Sequence, residues 1–141
     1  MDNDTTLVVY GDHGMTEEGS HGGNSELEMR TALFAYQKKP FPFAKKYHEL
    51  HHHFGYVDNV IKQVDLAAIG AMLTNVPTPF SNLGIIHPAF AQTSELKEVV
   101  AVMRQNIAQV NTYLHAYCRE TEQHWCEIEL KSFETEMLKF E

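Results

Sequence analysis

Thr6-Leu7-Val8-Val9-Tyr10 is an unbroken apolar and β-branched run closed by Gly11. Such a run predicts a strand buried on both faces, as in sheets covered by helices. From Gly11 to Gly23 the chain turns polar and glycine-rich, with glycines at 11, 14, 19, 22 and 23. This predicts a loop at the end of a buried strand, where α/β proteins commonly carry their chemistry. Thr31 to Tyr36 is a second run of strand length, ended by Lys38, Lys39, Pro40 and Pro42. Residues 41 to 62 mix aromatics, lysines and histidines and read as a surface excursion.

The period then lengthens. Asp65 is placed to cap a helix running through Leu73, with Leu66, Ile69, Met72 and Leu73 on one face. Asn75 and Pro77 stop it. Pro77 to Pro88 is a turn-rich connection. From Thr93 onward Leu96, Val100, Met103, Ile107, Val110, Leu114 and Tyr117 recur at alternating steps of four and three. They predict a long amphipathic helix with a narrow apolar seam that packs within its own protein. Trp125, Ile128, Phe133 and Met137 suggest a second helical segment and thus a helical hairpin. The fold class expected is α/β: a partial sheet with flanking helices over residues 1–91, then a helical segment over 92–141.

Composition narrows the class without choosing a function. The chain has 141 residues, 43% hydrophobic and 21% charged, which fits a folded domain rather than disorder. Eleven Lys and Arg against nineteen Asp and Glu give −8 with no dense basic run, so a sequence-independent grip on nucleic acid is not expected. There is no apolar stretch of bilayer-crossing length and no secretory signal pattern. The first strand follows Met1 almost at once, and the chain is therefore read as the C-terminal part of a larger catalytic domain.

The chemistry sits in Gly11-Asp12-His13-Gly14-Met15 and His21-Gly22-Gly23. One carboxylate and two imidazoles suit Zn²⁺ or Mn²⁺. Adjacent residues of an extended segment point apart, so Asp12 and His13 reach one ion only if the chain turns sharply, which the flanking glycines permit. His21 is eight positions beyond His13, far enough for the loop to fold back towards a second ion. Two ions about 3.5 to 4 Å apart need more donors than these three. The remaining carboxylates and any nucleophile are expected upstream. The plainer reading is an Asx turn at Asp12 and a surface His21; the preceding strand, the glycines and the His-Gly-Gly together favour metal.

Val8 to Met15, followed by Gly19-Ser20-His21-Gly22-Gly23, resembles the metal-binding segment of the alkaline phosphatase superfamily. The resemblance is to its glycosylphosphatidylinositol (GPI) ethanolamine phosphate transferase branch. Asn24 to Glu28, Ala32-Leu33-Phe34, Gln63 to Leu66, Val76 to Gly84 and Gln109 to Tyr117 extend it. It implies an alkaline-phosphatase-like sheet and a lumenal catalytic domain followed by membrane helices in the endoplasmic reticulum. It also implies two divalent metal ions, zinc by family, with Asp12 and His13 on one and His21 on the other. The reaction implied moves phosphoethanolamine from phosphatidylethanolamine to a mannose of the GPI precursor, the third by this resemblance. A small membrane partner subunit goes with it.

The family's threonine nucleophile belongs to a segment this sequence does not show, so Thr5, Thr6 and Thr16 are not assigned that role, and the piece alone is expected to be inactive. Two other readings stand beside this one: a nucleotide pyrophosphatase or phosphodiesterase of the same superfamily, and a non-catalytic shortened product.

The remaining candidates read as structural. His48, His51, His52 and His53 are expected in an exposed loop without a fixed ion. Lys38, Lys39, Lys45 and Lys46 form a solvated face, and His87 carries no partner signal. Cys118 and Cys126 would be about 12 Å apart on one continuous helix, too far for a bridge, so they are expected to stay unpaired unless the chain turns between them.

Overall fold

The computed structural model describes residues 1–50, 60–121, 126, 130 and 131, with backbone only at Leu50. They fall into two compact units, Met1–Pro40 and Phe41–Glu141. The class is α/β.

The first unit holds strand β1 (Thr6–Tyr10), helix α1 (Glu26–Met29) and strand β2 (Leu33–Gln37). The strands pair antiparallel, Thr6 opposite Gln37 and Tyr10 opposite Leu33. The register puts Leu7 against Tyr36 and Val9 against Phe34 on one face. That face is open: Val9 is 53% and Phe34 56% exposed, and no residue from 1 to 40 is buried. The expectation of a strand buried on both faces is therefore corrected. β1 has the composition of a central strand, but among the described residues this sheet has two strands, with one face exposed and the other, at Val8, Leu33 and Ala35, half-buried. Helix α1 is too short to show a period. It rests on a capping box, in which the Ser25 hydroxyl accepts from the Glu28 amide and the Glu28 carboxylate returns to the Ser25 amide.

The second unit holds α2 (Ala44–Leu50), α3 (Asp65–Thr74), a 3-10 turn at Pro88–Phe90 and α4 (Leu96–Thr121). Part of the segment read as a surface excursion is core. Phe43, immediately before α2, and Tyr47 on it, four residues on, are buried with Ala91 and Val99. His48 lies on α2; His51, His52 and His53 are outside the described residues.

In α3 the N-cap position is Val64 rather than Asp65. Asp65 is buried in the first turn, and its carboxylate accepts from the amides of Lys62 and Ile85, both at 2.8 Å. The buried side of the helix is Ala68, Ile69 and Ala71, while Leu66, Met72 and Leu73 are half-buried. The C-terminus is as expected: Asn75, with φ of 54°, closes the helix in the left-handed region.

Helix α4 is present and long, 26 residues; the middle of its expected seam, Met103, Ile107, Val110 and Leu114, is half-buried, with Met103 and Leu114 packed on the core clusters, but its most buried positions lie elsewhere. Val99, Asn106 and Cys118 are buried, whereas Leu96, Val100 and Tyr117 are exposed. Polar side chains share the inward face of the helix. The Asn106 amide donates to Gly84 O at 3.1 Å and accepts from Ile86 N–H at 2.9 Å. Gln109 Nε2 donates to the carbonyls of Phe80 at 2.8 Å and Asn82 at 3.1 Å. A seam counted from apolar residues alone misses both.

Cys118 and Cys126 are joined by a disulfide, with Cα atoms 5.5 Å apart. That is under half the straight-helix spacing, so the two do not lie along one helix and the expectation of free thiols is corrected. They pack with Leu130 and Leu114. Trp125, Ile128, Phe133 and Met137, the expected second helical face, lie outside the described residues. Among the described residues no helix is long and apolar enough to cross a membrane.

Candidate metal centre

The residues singled out for chemistry lie in the first unit, directly beyond β1. The ladder continues one step past the strand, with Gly11 N–H donating to Ala32 O at 3.2 Å. Gly14 N–H then donates to Glu28 O at 2.7 Å. A Cβ on Gly14 would overlap the carbonyl oxygens of Leu27 and Arg30. Asp12 and His13 are thus carried on a short segment pinned at both ends, and Gly14 has room for no side chain.

Within that segment Asp12 Oδ1 accepts the amide of the next residue, His13, at 3.0 Å; an Asx turn would bond the amide two residues on, at Gly14, which donates to Glu28 O instead. Asp12 Oδ2 lies 3.7 Å from His13 Nε2. His13 Nδ1 sits 2.7 Å from Gly14 O. A carbonyl only accepts, so this nitrogen is assigned the proton and the neutral ring presents its Nε2 lone pair on the Asp12 side.

His21 reaches the same place by a folded loop. Thr16 and Ser20 close a turn, with Thr16 N–H donating to Ser20 O at 2.9 Å and Gly19 N–H to Thr16 O at 3.0 Å. Gly19 and Gly22, with φ of 86° and 88°, make the two left-handed steps around His21. The result is a parallel stack of the His13 and His21 rings, centroids 4.9 Å apart and planes 7° from parallel.

Two pairs of the predicted ligands are neighbours in an exposed position, Asp12 beside His13 and the His13 ring on that of His21. They do not converge on one point: among the described residues no three His, Cys, Asp or Glu side chains are grouped to hold a single ion. The donor chemistry nevertheless fits. An imidazole binds a metal in its ring plane, and both rings carry donor nitrogens of the type zinc takes.

Sequence reasoning passed over Glu28. Its carboxylate accepts from Ser25 Oγ at 2.6 Å, Gly23 N–H at 3.1 Å and Ser25 N–H at 3.3 Å, and lies 3.5 Å from Ser20 Oγ. The bond from the Ser25 hydroxyl, followed by the Ser25 and Gly23 amides, holds its carboxyl below the usual range despite slight desolvation, so it is an anion at neutral pH. The legible signal was Ser25-x-x-Glu28. The threonines left unassigned as nucleophile have structural bonds: Thr6 Oγ1 donates to Gln37 Oε1 at 3.1 Å, and Thr16 Oγ1 accepts from Ser20 N–H at 3.1 Å.

In the second unit a cavity of about 540 Å³ opens between α3 and α4, lined by Ala71, Val76, Ile86, Val102 and Gln109 among others. Its sole titratable lining group is Glu98, and it holds none of the predicted ligands.

No family profile and no solved structure matches the chain. Curated relatives do. The chain is 36% identical over 130 residues to the human protein named GPI ethanolamine phosphate transferase 3, catalytic subunit, and 38% identical over 135 residues to its mouse counterpart. Each alignment covers 86% of this chain and 11% of the relative. GPI ethanolamine phosphate transferase 2 of Saccharomyces cerevisiae is 31% identical over 145 residues, which is 96% of this chain and 16% of that protein. The chain therefore spans about a tenth of the length of the human and mouse relatives it matches.

Proposed function

We propose, for a chain that belongs by sequence to the GPI ethanolamine phosphate transferases, that it supplies part of the metal centre of such an enzyme. The whole enzyme would move phosphoethanolamine from phosphatidylethanolamine to a mannose of the GPI precursor, the third. It would do so in the endoplasmic reticulum, from a lumenal domain of alkaline-phosphatase-like fold attached to membrane helices, with a small membrane subunit as partner. The GPI substrate and the transfer come from the relatives' names. The metal is the reading of the donor set.

Asp12 and His13 would hold one divalent ion and His21 a second, zinc by the mix of carboxylate and imidazole. Bound there, the metals would act as Lewis acids on the phosphoryl oxygens and make a hydroxyl nucleophilic at neutral pH. The chain's own part is placement. Gly14 O accepts a hydrogen bond from His13 Nδ1–H and leaves Nε2 for coordination, the orienting contact that ligating histidines commonly have. Asp12 brings a negative charge to the same side. The folded loop sets His21 beside them. The nucleophile is assigned to no residue of this chain.

The observation that carries the reading is the His13–His21 stack beside Asp12 in a glycine-pinned loop off β1. The test is made on the full-length enzyme that contains this segment. Asp12→Ala and His21→Ala are each expected to remove bound zinc and to abolish restoration of GPI-anchored proteins at the surface of deficient cells. Normal zinc content and normal surface display in either variant would refute the assignment.

A further inference from the structure

We infer that Glu28 is the positioning residue of this site: one side chain and its own backbone carbonyl tie together the two segments that carry His13 and His21. Where metal is concerned, the inference rests on the reading above; where ring placement is concerned, it stands on geometry alone.

The main chain of Glu28 holds one segment, its carbonyl accepting from Gly14 N–H at 2.7 Å, one residue from His13. Its side chain holds the other. Oε1 accepts from Gly23 N–H at 3.1 Å and faces Ser20 Oγ at 3.5 Å, so it touches the loop on both sides of His21. Oε2 accepts from Ser25 Oγ at 2.6 Å. A helix cap needs only the Ser25 contacts; the bond from Gly23 and the longer contact with Ser20 serve no helix.

The carboxylate lies so close to the loop that a Cβ on Gly23 would stand 2.5 Å from Oε2. His21 itself is weakly held, with Nδ1 3.5 Å from Gly19 O, at the limit of a hydrogen bond. Its ring is therefore placed by the backbone that Glu28 grips. Groups that orient ligands from behind typically change metal affinity by about 10- to 100-fold when removed.

The test uses the isotope-labelled 141-residue chain. In wild type, proton–proton cross-peaks between the His13 and His21 rings and a protected Gly23 amide are expected. Glu28→Ala should abolish those cross-peaks, speed Gly23 amide exchange about 10-fold or more, and weaken zinc binding by about 10- to 100-fold. Glu28→Gln, which keeps one acceptor oxygen, should restore part of each.

Ser25→Ala removes the cap partner but leaves Gly23 and Ser20, and should keep the rings together. Cross-peaks between Val8 and Ala35 across the strands report that each variant is folded. Retained ring cross-peaks and Gly23 protection in Glu28→Ala would reduce Glu28 to a helix cap and overturn the inference. Separation of the rings in Glu28→Ala, in a chain whose wild type takes up no zinc, would sustain the positioning role and sink the metal reading instead.

Discussion

Gly14 is the residue on which the candidate centre leans hardest. The atoms that a Cβ there would meet are backbone carbonyls of Leu27 and Arg30, which cannot swing aside as a side chain would. Gly14→Ala is expected to cost about 1–3 kcal/mol, as overpacking does, and to separate the His13 and His21 rings. Urea unfolding read by β1–β2 amide signals checks the first effect and ring-proton cross-peaks the second; an unchanged midpoint would refute the expectation. Gly19 and Gly22 differ, since their Cβ positions face open space and only their positive φ resists substitution.

The same scale shows why the ligands were legible and Glu28 was not. Asp12, His13 and His21 are donor types gathered next to glycines at a strand end, a pattern that metal chemistry explains. Glu28 is one more carboxylate in an acidic chain, and its role exists only because the loop folds back onto it.

Among the elements, α3 and α4 were readable in existence and extent, and their buried faces only in part: Ile69 is buried and Met103 and Leu114 pack on the core clusters, but the most buried positions also include Asp65 and Asn106. Periodicity counts apolar residues. In this fold Asp65, Asn106 and Gln109 are partners of backbone amides and carbonyls between Lys62 and Ile86, so polar side chains share the inward faces with apolar ones. The capping box of α1 could have been read from Ser25 and Glu28; the core role of Phe43 and Tyr47 could not, since α2 is short and its flanks are polar.

At the end of α4 the Cys118–Cys126 disulfide closes a loop of sequence separation 8. Loop-closure entropy for a ring of that size is about 2.5 kcal/mol. Cys126→Ser is expected to lower stability by roughly that amount in denaturant unfolding of the second unit. In the wild-type chain both thiols should resist alkylation until a reductant is added. Alkylation without reductant would show the pair to be open.

For the whole molecule, the response to acid has an identified contributor in His87. It is buried, edge-on to Tyr47 at 4.7 Å and Phe90 at 6.0 Å, and its Nδ1 accepts from Ala89 N–H at 3.3 Å. Burial pushes its pKa below the ordinary histidine value, and the charge of Asp65 opposes the shift without cancelling it. The folded state therefore binds this proton less readily than the unfolded chain. The contribution is complete above the unfolded value, about 6.5, and is lost as pH falls from there through the folded value. Unfolding free energy measured between pH 7.5 and 5 should fall with acid, and His87→Gln should flatten that slope. An identical slope in the variant would remove His87 as the cause.

Local chemistry was written in the residues: two strand-length runs, a left-handed stop at Asn75, a long helix after Thr93, and ligand-type side chains on a glycine loop. These follow from steric and periodic preferences that act over a few neighbours. Meetings between distant segments were settled by folding. The two histidine rings meet because turns at Gly19 and Gly22 bring the loop back, the cysteines meet because they do not share one helix, and Leu7 and Val9 of β1 are exposed because, among the described residues, β2 alone pairs with that strand. Burial is a property of what lies across from a residue, and no pattern along one segment names its opposite number.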